Sequence, residues 1–204
     1  AELIAQKWSI SRESLDDYAY ESPRRAMIAI QSGFFSKQII PVALQDGSTM
    51  QVDEGVRQPP DRQKMAALQP AFEVDGVVTA GNSSQISDGA SAVVLASPKI
   101  VGRYNLHPRA RVLSRFVVGS DPVLMLDGPI QASRSILSRT GTTLDRMDVI
   151  EINEAFASVV LAWQKELDAD MEIVNPNGGA IALGHPIGAT GAILMTKLLH
   201  ELER

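Results

Sequence analysis

The chain has 204 residues, of which 45% are hydrophobic and 21% charged, and its formal net charge is −5. This length and apolar content suffice for one or two packed domains and exclude disorder, a collagen repeat and a disulfide scaffold. Because no cysteine is present, this chain forms no disulfide or thiolate zinc site and carries no thiol nucleophile. The acidic balance argues against a nucleic-acid-binding face, and no apolar run reaches the roughly 18 residues that span a bilayer. We therefore expect a soluble cytoplasmic protein.

The first 75 residues are predicted to be helical and rich in loops. Ser11 is a suitable N-cap for a helix that ends near Gly33. Two apolar runs flank Asp46 and Gly47, a pair typical of hairpin turns. In chain order, this part predicts a helix over 1–8, a helix over 11–33, a hairpin over 39–52, a short helix over 61–70 and an extended segment over 74–79.

Beyond residue 75 the pattern alternates between strands and helices, as in a layered α/β domain. The small-residue runs 89–97 and 110–119 are typical of strands buried on both faces. The further predicted elements are a helix over 129–139, a strand over 148–152, a helix over 154–167, a strand-like run over 173–175 and a helix over 187–203. Shifts in composition place boundaries near residues 75 and 108.

Glycine is concentrated near the carboxyl end of the chain. Five of the 15 glycines lie in the 14 residues from Gly178 to Gly191, which indicates tight turns or the close approach of another group. The stretch lacks both the P-loop ending Gly-Lys-Ser/Thr and the GxGxxG spacing of dinucleotide sites. His185 lies inside it. Packing explains a histidine in such a loop poorly, so His185 is a candidate catalytic residue; the alternative is that it satisfies a main-chain carbonyl.

Asn153 and Glu154 directly follow the predicted strand over 148–152. Ligands of open α/β sheets lie beyond the carboxyl ends of the strands, so this polar pair is placed to face a site. Asn153 also suits the N-cap of the next helix, and both interpretations can hold. The three histidines are scattered without metal-ligand spacing, and we expect no metal.

Together, NEAFA (153–157) and NPNGGAIALGHPIGATGA (175–192) resemble the thiolase family of acyl-CoA C-acyltransferases. AELIAQKWSISRE, RQKMAALQPAFEVDGVVTAGNSSQISDGASAVVL and GSDPVLMLDGP fit the same pattern, so the resemblance covers essentially the whole chain. It implies a thiolase-like layered α/β/α fold, incomplete here. Residues 1–75 would form the loop domain that covers coenzyme A. Residues 76–107 would hold the closing strand of the N-terminal half and a connection, and 108–204 the C-terminal half without its last strands.

The resemblance also implies catalytic roles for two residues. His185 matches the histidine that activates the family's cysteine nucleophile, and Asn153 matches the asparagine that holds a water. Histidine and water together would form an oxyanion hole for the thioester carbonyl. A fixed donor at such a position contributes roughly 3–4 kcal/mol to transition-state stabilisation.

Further positions match residues that contact the substrate. Ser84 matches the serine at the pantetheine amide, and Arg57 aligns with a loop-domain arginine near the nucleotide. Phe72, Met125 and Phe156 match apolar residues that line the pantetheine and acyl channel, although their spacing alone suits ordinary core positions. SQISDG departs from the SGLNDG form of biosynthetic members, which leaves the acyl-chain preference open.

The resemblance predicts thiolytic cleavage or Claisen condensation of acyl-CoA and 3-oxoacyl-CoA thioesters. No cofactor would be bound permanently, since CoA enters as substrate, and the partners would be acyl-CoA, further copies of the chain or the missing thiolase segments. Both family cysteines would lie outside these residues, so we expect the 204-residue chain alone to be inactive.

Two alternatives remain open. The first is a catalytically inactive acyl-CoA-binding fragment, or a subunit that another polypeptide completes. The second, which is weaker, is a relative of the β-ketoacyl synthases. It lacks support because no second catalytic histidine is evident: His107 and His200 are expected to be exposed.

Overall fold

The computed structural model describes residues 1–56 and 60–204. Its helices and strands, in chain order, are α1 (Glu2–Lys7), α2 (Arg12–Gln31), β1 (Val42–Ala43), β2 (Thr49–Met50), α3 (Arg62–Ala66), α4 (Pro98–Tyr104), α5 (Gly128–Thr140), α6 (Ala157–Leu167), α7 (Ala180–Leu183) and α8 (Thr190–Leu202), with a 3₁₀ turn at Leu144–Arg146.

Local signals account for the long helix α2 and for the hairpin. The Ser11 hydroxyl accepts the N–H of Ser14 at the start of α2, and Gly33 adopts a φ of +71° just beyond its end. In the hairpin, Val42 lies opposite Met50, and Gly47 takes the positive φ that its turn requires. Both predicted elements are confirmed.

The predicted buried strands over 89–97 and 110–119 are wrong for this chain. Val94 and Val117 are each at least 90% exposed, and neither segment pairs with another strand among residues 1–56 and 60–204. A buried strand needs hydrogen-bonded neighbours on both sides, and the part of the chain that the structure describes provides none. Helix α4 was not predicted, although Ser97 caps it and Pro98 occupies its first turn.

The predicted strands over 148–152 and 173–175 are reduced to one parallel bridge between Ile150 and Val174. Ile150 donates its N–H to the Ile173 carbonyl and accepts the N–H of Asn175, both at 2.9 Å. The helices that follow these segments begin three residues later than predicted, at Ala157 and Thr190. The segment 74–79, expected to be extended, begins with a turn instead.

Three clusters of buried side chains hold the helices together. The first joins α1, α2 and α6, the second lies between α5 and α6, and the third lies where α2 meets α7. Their central members are Ile4, Leu15 and Val159 in the first cluster, Ile130, Val160 and Trp163 in the second, and Ala26, Val56 and Ala182 in the third. This packing brings the end of the 148–152 segment next to the glycine-rich loop.

Candidate functional site

Asn153 and His185 meet although 32 residues separate them in the chain. Nδ2 of Asn153 lies 3.3 Å from Nε2 of His185, and both residues are half-buried. Asn153 follows the bridged segment at Ile150, whereas His185 follows the short helix α7. The structure thus joins the two residues that the sequence analysis singled out separately.

The hydroxyl of Thr190 contacts Nδ1 of His185 and provides the basis for assigning the proton of the ring. Its Oγ1 lies 2.7 Å from Nδ1 of His185 and 2.9 Å from the carbonyl oxygen of Pro186. A hydroxyl has one proton, and the assignment that satisfies both contacts gives that proton to the Pro186 carbonyl while Nδ1–H of His185 donates to Thr190. In the neutral ring, Nε2 is therefore the unprotonated nitrogen, and it accepts a hydrogen bond from the Asn153 amide.

The segment 85–89 runs along the loop that carries His185. The carbonyl of Gln85 accepts the N–H of His185 at 3.2 Å. A Cβ at Gly184 would collide with the hydroxyl of Ser87, and Gly184 has a φ of +92°, so two separate constraints favour glycine there. The close approach that the glycine-rich stretch predicted is confirmed at this position.

Glu154 lies directly behind the pair formed by Asn153 and His185. Its side chain is 1% exposed and accepts four hydrogen bonds at 2.6–3.1 Å. The donors are the hydroxyls of Tyr18 and Ser22, the amide of Asn175 and the N–H of Ile181. These bonds satisfy the buried charge without a cation and connect α2, the 174–175 segment and α7.

Burial raises the pKa of the Tyr18 hydroxyl well above its ordinary value of 10.0, and the charge of Glu154 raises it further. The Glu154 carboxylate also presses against Gly179, where a Cβ would collide with it. A second glycine of the loop is therefore required by a close contact.

A buried ion pair lies beside the site. Nζ of Lys197 is 2.8 Å from Oε2 of Glu151, and the two side chains are 4% and 2% exposed. Lys197 also donates to the carbonyl of Gly178. Burial raises the pKa of Glu151, and Lys197 opposes that shift. The pair attaches α8 to the segment that ends at Asn153.

The structure places Ser84 and Phe156 next to this centre. Ser84 donates its N–H to the carbonyl of Ala155 at 2.9 Å, and Ser83 and Phe156 form an antiparallel bridge. The ring of Phe72 packs edge-on against Phe156, with 6.0 Å between the ring centroids, yet Phe72 is 63% exposed. These contacts join the 72 and 84 segments to the NEAFA block.

The other two predicted contacts are Met125 and Arg57. Met125 is 62% exposed, in a turn where its φ is +58°. Arg57 lies outside the described residues. Of the remaining histidines, His107 is exposed as predicted, but His200 is half-buried, which corrects the expectation for it.

Several residues that support the site were not predicted from the sequence. Two of them could have been found from the sequence. Thr190 lies five residues after His185, and Lys197 is the one charged residue within the apolar run AILMTKLL. The contacts of Tyr18 and Asn175 could not be found from spacing, since 136 residues separate Tyr18 from Glu154.

The searched residues, 1–56 and 60–204, contain no group of three or more histidine, aspartate or glutamate side chains that could hold a metal. Over the same ranges, the structure shows no helix that is both long and apolar enough to cross a membrane.

Comparisons with known proteins define the class. Residues 1–99 match the N-terminal domain of thiolase, and residues 106–204 match its C-terminal domain. The chain therefore belongs to the thiolase family, and its fold is a partial thiolase-like α/β fold.

Particular relatives agree with this assignment. The chain is 54% identical over 204 residues to the steroid 3-ketoacyl-CoA thiolase FadA6 of Mycobacterium tuberculosis, covering 100% of this chain and 49% of that protein. It is 44% identical over 207 residues to human mitochondrial 3-ketoacyl-CoA thiolase, covering 52% of it. The chain spans about half the length of these relatives.

Solved structures agree as well. The acetyl-CoA acetyltransferase of Bacillus anthracis superposes with a TM-score of 0.96 at 42% identity, covering all of this chain and 52% of that one. A structure of human mitochondrial 3-ketoacyl-CoA thiolase in complex with CoA gives the same TM-score at 44% identity, covering 51% of that chain.

Proposed function

We propose that this chain is part of an acyltransferase of thiolase type. It would act on acyl-CoA and 3-oxoacyl-CoA thioesters by thiolytic cleavage or Claisen condensation and contribute the histidine and asparagine part of the site. The observation that carries this proposal is the contact between Asn153 and His185, with the proton of the neutral ring held on Nδ1.

This geometry suits proton transfer at Nε2. An unprotonated Nε2 can accept the proton of a thiol, whose ordinary pKa of about 8.5 leaves it mostly protonated at neutral pH. The resulting imidazolium can then donate a hydrogen bond to the oxygen of the thioester as negative charge develops there. The amide of Asn153 orients the ring, and its buried Oδ1, which has no partner among the described residues, is available to a water. That water would supply the second donor.

The thiol must come from elsewhere, because the sequence contains no cysteine. We infer that the chain alone does not turn over and that the nucleophile and the second cysteine of the family belong to other thiolase segments. Residues 1–75 would serve as the CoA-covering loop domain, 76–107 as the end of the N-terminal half and 108–204 as most of the C-terminal half.

The ligand in this proposal is coenzyme A, which binds as substrate. Ser84 would meet the pantetheine amide, since its segment lies against NEAFA, and Phe156 and Phe72 would border the channel. Met125 and Arg57 would contact the acyl and nucleotide ends, as the family resemblance implies. The solved relative in complex with CoA supports the choice of ligand.

A second candidate function is an inactive acyl-CoA-binding subunit that another polypeptide completes. The exposed apolar side chains of the 86–117 region favour it, because such surface normally lies inside a protein or an interface. Its most exposed members are Ile86, Val94, Leu95, Leu113 and Val117.

Two measurements test these proposals. Calorimetric titration of the chain with CoA should show binding. His185→Ala should weaken this binding only slightly, since in this proposal the histidine faces the thioester rather than the nucleotide. Absence of binding at millimolar CoA would reject the second candidate, the acyl-CoA-binding subunit. Acetoacetyl-CoA cleavage should then be absent for the chain alone and appear when the missing thiolase segments are supplied. Activity of the chain alone that His185→Ala abolishes would contradict the division of the site.

A further inference from the structure

The side chain of Gln85 connects two segments that are far apart in the chain. Its Nε2 lies 2.7 Å from the carbonyl oxygen of Gly55, and 3.2 Å and 3.3 Å from those of Ile181 and Ala182. A primary amide has two N–H groups. One therefore donates to the segment 53–56, and the other is shared by two carbonyls at the end of α7.

On the α7 side, Gln85 holds the loop of His185 at two points. The last carbonyls of a helix have no partner within it, and the Gln85 amide supplies the missing donor for α7. α7 leads directly through Gly184 to His185, whose N–H donates to the main-chain carbonyl of Gln85. Side chain and main chain of one residue thus fix the approach to His185.

On the other side, the segment 53–56 rests on the same side chain. A Cβ at Gly55 would lie 2.6 Å from Oε1 of Gln85, so the amide contacts the glycine backbone directly. The next residue, Val56, is buried against Ala26 and Ala182. Gly55 and Val56 together dock the segment onto Gln85 and α7.

We propose that Gln85 is a positioning residue that couples the docking of segment 53–56 to the placement of His185. With the segment docked, the amide spans Gly55 and the end of α7 and holds the histidine loop against Asn153. When the segment lifts, the amide loses an acceptor and its hold on α7 weakens. The effect of this coupling on catalysis rests on the proposed function, whereas the coupling itself does not.

Gln85→Met tests the coupling in the 204-residue chain, because methionine keeps the length of the side chain and removes both donors. The readouts are the exchange rate of the His185 amide proton and the methyl NMR signals of Val56. We expect about tenfold faster exchange, as for loss of one hydrogen bond, together with displaced Val56 signals. A response at only one of the two residues, or at neither, would overturn the proposal.

Gln38→Met is the matched control. Gln38 is also half-buried, and its amide donates to one main-chain carbonyl, that of Phe34, at 3.1 Å. We expect this variant to leave both readouts at wild-type values. An equal response to Gln38→Met would assign the effect to general loosening and reject the coupling.

Gln85→Glu provides a second test, in which the hydrogen-bonding capacity of one variant is changed by pH. The protonated carboxyl can donate to one of the carbonyls, but the ionised carboxylate can donate to none. Between about pH 4 and pH 8, His185 exchange and the Val56 signals should therefore change together in this variant. The wild type, titrated in parallel, accounts for the intrinsic effects of pH. Changes that occur at different pH values in the two segments would contradict the coupling.

Adding CoA separates this inference from the proposed function. If the wild-type chain binds CoA, the Val56 methyl signals and the exchange rate of the His185 amide should both change. In Gln85→Met, CoA should change the Val56 signals only. A change of His185 exchange that persists in the variant would overturn the coupling. If CoA does not bind, the acyl-CoA-binding candidate fails, and the experiments without ligand still decide the coupling.

Discussion

Oγ1 of Thr190 lies 2.7 Å from Nδ1 of His185 and donates its hydroxyl proton to the carbonyl of Pro186. The first turn of α8 thereby fixes the tautomer of the histidine whose loop precedes it. The other ring nitrogen is left unprotonated where it meets Asn153. The chemistry proposed for Nε2 depends on this arrangement.

Thr190→Val should redistribute the proton between the two nitrogens of the His185 ring, because valine keeps the shape of threonine without the acceptor. Ring ¹⁵N chemical shifts at a pH where the imidazole is neutral measure this. Thr190→Ser retains the hydroxyl and should keep the wild-type tautomer. In an enzyme completed with the missing segments, the valine variant should lose about 100-fold in turnover. An unchanged tautomer in Thr190→Val would contradict the assignment.

Gly179→Ala should destabilise the chain by about 1–3 kcal/mol, because the added methyl group collides with the Glu154 carboxylate. Urea unfolding followed by circular dichroism measures the change. Gly188→Ala is the control, since a Cβ at Gly188 meets nothing within 4 Å. Its effect should stay within about 0.5 kcal/mol. Equal effects at the two glycines would show that Glu154 does not confine the loop.

Stability should fall at alkaline pH through Tyr18. Its folded-state pKa is raised, mainly by burial, so its contribution is complete below the unfolded value of 10.0 and is lost as the pH rises above that value. Between about pH 8 and pH 11, the free energy of unfolding should therefore decrease more for wild type than for Tyr18→Phe. Tyr104→Phe, at a 61% exposed position, should behave like wild type. Parallel curves for wild type and Tyr18→Phe would refute the prediction.

Lys197→Met should cost about 3–5 kcal/mol of stability, because it leaves the carboxylate of Glu151 buried without its partner. Combining it with Glu151→Leu should restore most of the loss, since no buried charge then remains. Urea unfolding of both variants measures the difference. The exposed pair of Lys64 and Asp61 provides a contrast, where Lys64→Met should change stability by less than about 1 kcal/mol. A double variant no more stable than Lys197→Met would rule out charge burial as the cause.

The elements that local signals define were predictable. Ser11 and Gly33 delimit α2, and Asp46 and Gly47 form the hairpin turn, because capping and turn formation involve only neighbouring residues. The predictions of strands over 89–97 and 110–119 failed because a strand depends on residues outside its own segment. Their apolar residues suit strands, but a strand forms only when another segment pairs with it, and the described residues do not supply that segment.

The sequence by itself determined the family and the two central residues, since NEAFA and the glycine-rich block carry Asn153 and His185 in recognisable order. Only the tertiary structure decided how these residues act on each other. The tautomer of His185 depends on Thr190, and the placement of its loop depends on Gln85 and on the buried carboxylate of Glu154. Hydrogen bonds of this kind join residues as distant in the chain as Ser22 and Gly179, 157 positions apart, and their geometry exists only after the helices have packed.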